Sequence, residues 1–194
     1  MERVRPDIPF SVQAGAHDPP PSFGREEALT GEPAATFDPR RKILTRDDAA
    51  HWRDFQKGRV VFTNGVFDLI HPGHIDLLTA ARSRGDALIV GVNTDSSVRR
   101  LKGPGRPVCS EAERAYVLAA MEAVDIVVLF DEDTPMELVR ALKPNVIVKG
   151  GDYTRESIVG AREVEGWGGE TVIIPLTAGQ STTSIIDKLR DKKS

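Results

Sequence analysis

Two histidines stand on either side of a proline and a glycine, in a segment that follows a run of apolar residues. The apolar run ends at Thr63, and the segment reads T-N-G-V-F-D-L-I-H-P-G-H up to His74. Gly65 permits a tight backbone approach, and Gly73 lets a phosphate come close to the start of a helix. The free N–H groups and the dipole at such a helix start favour negative charge. Because His71 and His74 flank the same glycine, both imidazoles can point at a phosphate held there.

The histidine pair also allows two simpler interpretations. It could belong to a structural turn in which the imidazoles cap the helix, or it could be part of a metal site. Two common nucleotide-binding fingerprints are missing from the sequence. No glycine is followed directly by lysine, so there is no P-loop, and no G-x-G-x-x-G follows a predicted strand. These absences argue against dehydrogenases and kinases of those types.

Other polar residues follow predicted strands or precede predicted helices. Lys102 lies in a Lys-Gly-Pro-Gly segment just before Arg106, and its simpler interpretation is a solvated loop lysine. The run Lys149-Gly150-Gly151-Asp152 follows a strand, where it is either a glycine turn or a set of ligand contacts. Hydroxyl side chains from Ser181 to Ser184 precede a helix. Ser184 with Asp187 fits a capping box, and the same geometry offers N–H and O–H donors to a terminal phosphate.

An alternation of strands and helices would position these residues. The predicted strands are residues 60–63, 87–92, 126–130, 146–148 and 171–174, which are rich in apolar residues. Helix starts are predicted at Thr45 with Asp48, at about Gly73, at a capping box of Ser110 and Glu113, and at a second box of Thr134 and Glu137 with Pro135 as the first helical residue. We therefore predict an α/β fold with a Rossmann-like parallel five-stranded sheet and helices on both faces. Ligands in such sheets bind beyond the carboxyl ends of the strands.

Residues 1–42 differ from the rest of the chain in composition. They contain more than half of its 13 prolines and show no helix or strand period. Such a segment cannot bury enough apolar surface to offset its chain entropy. We predict a flexible, proline-rich N-terminal tail over residues 1–42 and one domain over residues 43–194. A short docking arm is the alternative for the tail.

The composition also limits the class of protein. Hydrophobic residues make up 40% and charged residues 28% of the chain, as in soluble globular proteins. A net charge of -3 argues against a nucleic-acid partner, since proteins that bind duplexes usually carry a basic face. No apolar run approaches the length of about 18 residues that spans a bilayer. With the single Cys109 and no signal-peptide pattern, we expect a cytoplasmic protein without a membrane partner. A homodimer is a possible assembly, because closed two-fold oligomers are the commonest.

The histidine segment resembles the H-x-G-H signature of the cytidylyltransferase-like superfamily, preceded by its G-x-F-D element as Gly65-Val66-Phe67-Asp68. Within that superfamily, residues 40 to 190 are most similar to the bacterial D-glycero-β-D-manno-heptose 1-phosphate adenylyltransferases. The further motifs that carry this resemblance are G-V-N-T-D from Gly91, R-R-L-K-G from Arg99, R-P-V from Arg106, E-A-V-D from Glu122, D-T-P from Asp133, V-K-G-G-D-Y from Val148 and S-T-T-S-I-I from Ser181.

The resemblance implies a nucleotidyltransferase type of fold and an enzyme that transfers AMP from ATP to the heptose 1-phosphate. The products would be ADP-heptose and pyrophosphate, for lipopolysaccharide core or surface glycan synthesis. In many bacteria this activity is one half of a protein whose other half is a sugar kinase. We expect that this chain works without a kinase half and that a separate kinase supplies the heptose phosphate. A cytidylyltransferase acting on glycerol 3-phosphate or another alcohol phosphate is the close alternative, and a regulatory nucleotide-binding module is the distant one.

The resemblance also assigns residues to roles. His71, His74 and Lys102 are expected to contact the phosphates as catalytic residues, by hydrogen bonding rather than by proton abstraction, because a phosphate nucleophile is already anionic. The expected nucleotide-binding residues are Thr63, Asn64, Gly65, Phe67, Asp68, Gly73, Asn93, Asp95, Lys149, Gly150, Ser181 and Thr182.

Arg106 and Asp152 are expected to bind the sugar phosphate. Mg²⁺ would enter with ATP, and no protein cage for a metal is expected. Asp68 and Asp95 could position that Mg²⁺ or ribose hydroxyls, although Asp68 could instead fix the loop. Arg114 matches an arginine of the family pattern, with a surface salt bridge as the alternative.

Overall fold

The computed structural model describes residues 37–175, 182–183 and 185–186. The strands are β1 Ile43–Leu44, β2 Val60–Gly65, β3 Ala87–Asn93, β4 Ile126–Phe130, β5 Val146–Gly150 and β6 Glu170–Ile174. The α-helices are α1 Arg46–Asp54, α2 Pro72–Arg82, α3 Asp95–Lys102, α4 Glu111–Ala119, α5 Met136–Leu142 and α6 Ala161–Gly166. Short 3-10 helices cover Pro39–Lys42 and Arg155–Ser157. Most of the predicted tail, Ser181 and the predicted capping box of Ser184 and Asp187 lie outside the described residues.

The strands form one parallel sheet in the order β1-β4-β3-β2-β5-β6. This order places β2 between β3 and β5, so the carboxyl ends of these three strands meet at the middle of one sheet edge. The predicted parallel α/β sheet is therefore confirmed, but the predicted number of five strands is wrong, because the described residues form six. The additional strand, β1, has only two residues, and two residues are too few to produce a recognisable apolar run.

Helices cover both faces of the sheet, as predicted. On one face, α1, α5 and α6 pack through residues such as Ala49, Leu142 and Val164 against β2, β3, β4 and β5. On the other face, α2 and α4 pack through Leu78 and Leu118 among others. Buried apolar side chains lie on both faces of the central strands, which explains why residues 87–92 of β3 are apolar and show no alternation. Among the described residues, no helix is long and apolar enough to cross a membrane.

Two predicted helix caps have different outcomes. At α4 the Ser110 hydroxyl accepts from the N–H of Glu113, while the Glu113 side chain accepts from the N–H of Ser110, so this capping box is confirmed. At α5 the prediction is wrong, because Pro135 is the N-cap residue and no side chain caps the helix. The helix begins at Met136, one residue later than predicted. Thr134 thus lies one residue before the N-cap position, and from there its hydroxyl does not cap the helix.

This difference gives a matched pair of substitutions. We expect Ser110→Ala to lower the free energy of unfolding by about 1 kcal/mol, because it removes the acceptor for the N–H of Glu113. The exposed Thr134 caps nothing, so Thr134→Ala should change the free energy by less than about 0.5 kcal/mol. Urea unfolding followed by circular dichroism measures both, and equal losses would contradict the caps described here.

Candidate active site

The loop between β2 and α2 has an unusual backbone. Phe67 and Leu69 have φ angles of 50° and 49°, in the left-handed region that residues with side chains seldom adopt. Gly65, at the end of β2, lies so near the Phe67 ring that a Cβ atom there would stand 3.2 Å from a ring carbon. Such a conformation persists only where surrounding contacts fix it. Two buried charged side chains, Asp68 and Arg114, provide those contacts.

Asp68 lies in this loop with only 1% of its surface exposed. Its carboxylate accepts hydrogen bonds from Arg106 Nε at 2.9 Å, from the N–H of Val108 at 2.9 Å and from the N–H of Cys109 at 3.0 Å. Burial by itself raises the pKa of the Asp68 carboxyl, but these N–H donors and the Arg106 guanidinium outweigh burial, so the pKa is lowered. Asp68 is therefore ionised at neutral pH, and both of its oxygens join the loop to the segment before α4.

Arg114 projects from α4 toward the opposite side of the same loop and is 2% exposed. Its guanidinium donates to the carbonyl oxygens of Val66 at 2.6 Å, Asn93 at 2.8 Å and Cys109 at 3.1 Å, and to Asp95 Oδ1 at 2.8 Å. The alternative of a surface salt bridge is therefore wrong. Arg114 joins the β2–α2 loop to the end of β3, the start of α3 and the start of α4.

His71 and His74 lie at the start of α2 with their rings stacked. The ring centroids are 3.8 Å apart and the planes differ by 24°. His71 occupies the N-cap position, but its side chain makes no capping hydrogen bond, so the interpretation of the imidazoles as helix caps is not supported there. The Nδ1 atoms of both rings are buried and have no hydrogen-bond partner among the described residues. The pair thus lies at the positive end of the α2 dipole, beside the N–H of Gly73. Pro72 has no N–H, and the N–H of His74 donates to the main-chain oxygen of His71.

Burial controls the charge of both rings. It lowers the pKa of His71, and burial together with the neighbouring His71 lowers the pKa of His74 to about 4. Both imidazoles are therefore neutral near pH 7 in the absence of a ligand, and each neutral ring carries one N–H donor. A bound anion would raise both pKa values, because a nearby negative charge favours the protonated form.

Lys149 joins the carboxyl ends of two neighbouring strands. From β5, its Nζ donates to the main-chain oxygen of Asn64 at 2.9 Å and to Asn64 Oδ1 at 2.6 Å, at the end of β2. Burial lowers the pKa of Lys149 to about 8. The ammonium also lies 5.9 Å from the centre of the Tyr153 ring. Lys149 therefore fixes Asn64 and places a cation at this edge of the sheet.

A cleft at this edge has two adjoining compartments. The narrow compartment has a volume of about 270 Å³ and the wide one about 550 Å³. They share a wall formed by residues 64–67, His74, Lys149, Tyr153 and Thr182. The narrow compartment is closed by His71, Gly73, Leu77 and Gly150. The wide compartment adds Asp68, Asn93, Lys102, Arg106 and Asp133, among others.

The cleft brings together most of the residues that the sequence singled out. Those that line it are Asn64, Gly65, Phe67, Asp68, His71, Gly73, His74, Asn93, Lys102, Arg106, Lys149, Gly150 and Thr182. Thr182 also donates to the main-chain oxygen of Asp68 at 2.6 Å.

Three predicted site residues do not line either compartment. Thr63 is fully buried within β2, Asp95 is held by Arg114, and Asp152 is exposed on the connection after β5. Ser181 lies outside the described residues. Whether any of these contacts a ligand stays a prediction.

Several residues that line the cleft were not predicted from the sequence, notably Leu77, Leu101, Tyr153 and Asp133. A signal existed for two of them. Tyr153 ends the V-K-G-G-D-Y motif directly after a strand, and Asp133 follows β4 closely, where ligand-binding residues of parallel sheets occur. Leu77 and Leu101 look like ordinary helical apolar residues, and nothing in their spacing distinguishes them.

The buried position of Arg114 gives a stability prediction. Arg114→Met keeps the length of the side chain but leaves three carbonyl oxygens and Asp95 without their donor, so we expect a loss of roughly 3 kcal/mol in the free energy of unfolding. Arg140→Met is the control, because Arg140 is more than half exposed in its pair with Glu137, and the expected loss is below about 0.5 kcal/mol. Urea unfolding measures the free energy of unfolding of both variants, and similar losses in the two would refute the role given to Arg114.

The lowered pKa of His74 gives a pH prediction. Its pKa of about 4 in the fold is below the value of 6.5 for an unperturbed histidine, so the unfolded chain binds the proton more readily between these two values. The stability that comes from a neutral His74 is therefore complete above pH 6.5 and is lost as the pH falls toward 4. The free energy of unfolding of the parent protein, minus that of His74→Asn, should therefore decrease as the pH is lowered from 7.5 to 5. A difference that stays constant over this range would contradict the burial described for this ring.

Residues 62–188 match the family model described as Cytidylyltransferase-like. Among curated proteins, the chain is 56% identical over 155 residues to the bifunctional protein HldE of Acidiphilium cryptum, covering 77% of this chain and 32% of that protein. It is 57% identical over 153 residues to the bifunctional protein HldE of Trichlorobacter lovleyi, covering 78% of this chain and 30% of that protein. The chain thus spans about a third of the length of these curated relatives.

Two solved structures share the fold. The lipopolysaccharide core biosynthesis protein of Thermoplasma volcanium is 28% identical, with a TM-score of 0.51 over 62% of this chain and 97% of its own. The pantothenate synthetase of Thermus thermophilus is 18% identical, with a TM-score of 0.54 over 77% of this chain and 70% of its own, and this likeness concerns the fold alone. Since the family model covers more than half of its residues, the chain belongs to the cytidylyltransferase-like family.

Proposed function

We propose that the chain transfers AMP from ATP to D-glycero-β-D-manno-heptose 1-phosphate, giving ADP-heptose and pyrophosphate for the lipopolysaccharide core or another surface glycan. In this reaction a phosphate oxygen of the sugar phosphate attacks the α-phosphorus of ATP. A new P–O bond forms as the bond between the α-phosphorus and the bridging oxygen breaks, and that oxygen leaves with pyrophosphate. The nucleophile is already anionic, so the step requires no general base.

The stacked pair of His71 and His74 carries the proposal. Its rings line the cleft at the start of α2, where the helix dipole and the N–H of Gly73 favour an anion. Before a ligand binds, both rings are neutral and each carries one N–H donor, and protonation beside the triphosphate would give each ring a second donor. Removing one such donor in other enzymes lowers the rate by about 10²- to 10³-fold. We expect a rate effect of this size here, because negative charge shifts onto the departing pyrophosphate during the reaction and such donors stabilise it.

The two compartments fit the two substrates. The narrow one offers the apolar side chain of Leu77, next to the aromatic ring of Tyr153 on the shared wall, and both suit the nucleoside. The wide one offers Lys102 and Arg106, whose positive charges suit a sugar phosphate. His74 and Lys149 lie on the shared wall, where the α-phosphate would meet its attacker.

Mg²⁺ is proposed to enter with ATP, held by phosphate oxygens and water, and to neutralise charge on the phosphates. The chain's carboxylates support this arrangement rather than a protein cage. Asp68 has both oxygens engaged by Arg106 and main-chain N–H groups, and Asp95 is held by Arg114. In the part of the chain that the structure describes, no three histidine, cysteine, aspartate or glutamate side chains are grouped to hold a metal ion.

The names of the relatives support the choice of acceptor. The chain is 56% and 57% identical to two bifunctional proteins HldE and 28% identical to a lipopolysaccharide core biosynthesis protein. Its V-K-G-G-D-Y motif resembles that of the heptose 1-phosphate adenylyltransferases. We further propose that the enzyme works in the cytoplasm, where ATP is made available. The homodimer stays a prediction.

A substrate panel tests the proposal. The purified protein is offered ATP or CTP, each with the heptose 1-phosphate or with glycerol 3-phosphate, and pyrophosphate release is followed. We expect release with ATP and the heptose phosphate and little with the other three pairs. Exclusive use of CTP would contradict the proposal and favour the cytidylyltransferase alternative.

A substitution tests the role of the histidine pair. His74→Ala should reduce turnover by roughly 10²-fold or more while the protein remains folded, because one donor to the phosphates is lost. His51→Ala is the matched control, since His51 lies on α1 and lines neither compartment, and it should turn over like the parent. A folded His74→Ala protein with parental turnover would remove the proposed role.

A further inference from the structure

One carboxylate in the wide compartment has no role in holding the loop. Asp133 lies on the connection between β4 and α5, and it lines the same compartment as Lys102 and Arg106. Both proposed substrates are anions, so a negative charge on this wall opposes their binding unless it meets hydrogen-bond donors. Of the two substrates, the heptose phosphate is the one that brings many hydroxyl donors to this compartment.

Asp133 is held in position by a side chain from α3. Arg100 Nε donates to Asp133 Oδ1 at 2.9 Å, and the same guanidinium lies 3.5 Å from the Asp131 carboxylate and donates to the main-chain oxygen of Asp131. Asp133 Oδ2 has no hydrogen-bond partner within residues 37–175 or the described part of the C-terminal segment. The carboxylate is thus oriented through one oxygen while the other stays available to a ligand.

The neighbouring Asp131 provides a contrast. It pairs with the same arginine, and its carboxylate accepts hydrogen bonds from the hydroxyls of Thr94 and Ser96. It does not line the cleft, but lies on the far side of the connection, in a separate groove. Asp131 and Asp133 are similarly exposed, at 61% and 65% of their side chains. The two residues therefore have the same arginine partner and a similar exposed fraction, but Asp133 lines the wide compartment and Asp131 lines the separate groove.

We propose that Asp133 determines acceptor specificity by accepting hydrogen bonds from hydroxyl groups of the sugar phosphate. This inference rests on the proposed function and adds to it the residue that recognises the sugar rather than its phosphate. A carboxylate accepts from hydroxyl groups through charge-assisted hydrogen bonds, which are stronger than neutral ones. It also repels an acceptor that places a second anionic group there, so the same residue selects for a hydroxyl-rich, singly phosphorylated acceptor.

The test compares Asp133→Ala with Asp131→Ala in steady-state assays of the whole protein, with the heptose 1-phosphate and ATP varied in turn. We expect Asp133→Ala to raise the KM for the heptose phosphate by about 10- to 100-fold, because a charge-assisted hydrogen bond to the sugar is lost. Its KM for ATP should stay within about twofold of the parent value. Asp131→Ala should leave both constants near those of the parent, although it also removes a partner of Arg100.

Inorganic phosphate separates the sugar contact from a general change in charge. As a competitor of the heptose phosphate it has no sugar hydroxyls, so its inhibition constant should not weaken in Asp133→Ala. Equal effects of the two alanine variants, an equal rise in the KM for ATP, or weaker inhibition by phosphate would each overturn the assignment of Asp133. A parent protein that releases no pyrophosphate with ATP and the heptose phosphate would overturn the proposed function itself, and this inference with it.

Discussion

Two buried charges of opposite sign hold the loop on which the candidate site depends. Asp68 binds the segment before α4 through three hydrogen bonds, and Arg114 binds the loop, the end of β3 and the start of α3. Each charge is buried with its partners in place, so removal of one would leave other polar groups buried without hydrogen bonds. These contacts keep Phe67 and Leu69 in left-handed conformations, and the strained turn aims the start of α2 at the cleft.

The remaining features of the cleft follow from this constraint. Because the loop is fixed, His71 and His74 stack at the helix start, and their partial burial lowers the pKa of both rings. Lys149 supplies positive charge from the neighbouring strand while it holds Asn64 in place. The donors that would meet a triphosphate are thus positioned before any ligand arrives, and little reorganisation is needed when charge moves during the reaction.

Local patterns predicted most of the scaffold, whereas contacts between distant segments could not be predicted. The apolar runs of β2 to β5 are recognisable as strands in the sequence. The capping box of Ser110 and Glu113 was predictable because it depends on only four consecutive residues. The strand β1 was not predicted because it has only two residues. The prediction of a cap at Thr134 was wrong because the sequence pattern does not reveal a shift of one residue in the helix start. The H-x-G-H segment could be predicted as a site because its residues are contiguous. The four partners of Arg114 and the place of Asp133 in the cleft depend on the order of the strands, which no local pattern contains.

The most direct measurement is a crystal structure of the protein with a non-hydrolysable ATP analogue bound. We expect imidazole nitrogens of His71 and His74 to lie within about 3.2 Å of phosphate oxygens, with the contacts of Asp68 and Arg114 unchanged. A triphosphate bound elsewhere, or rings turned away from it while the loop keeps its conformation, would contradict the role of this loop in presenting two imidazole donors to the phosphates.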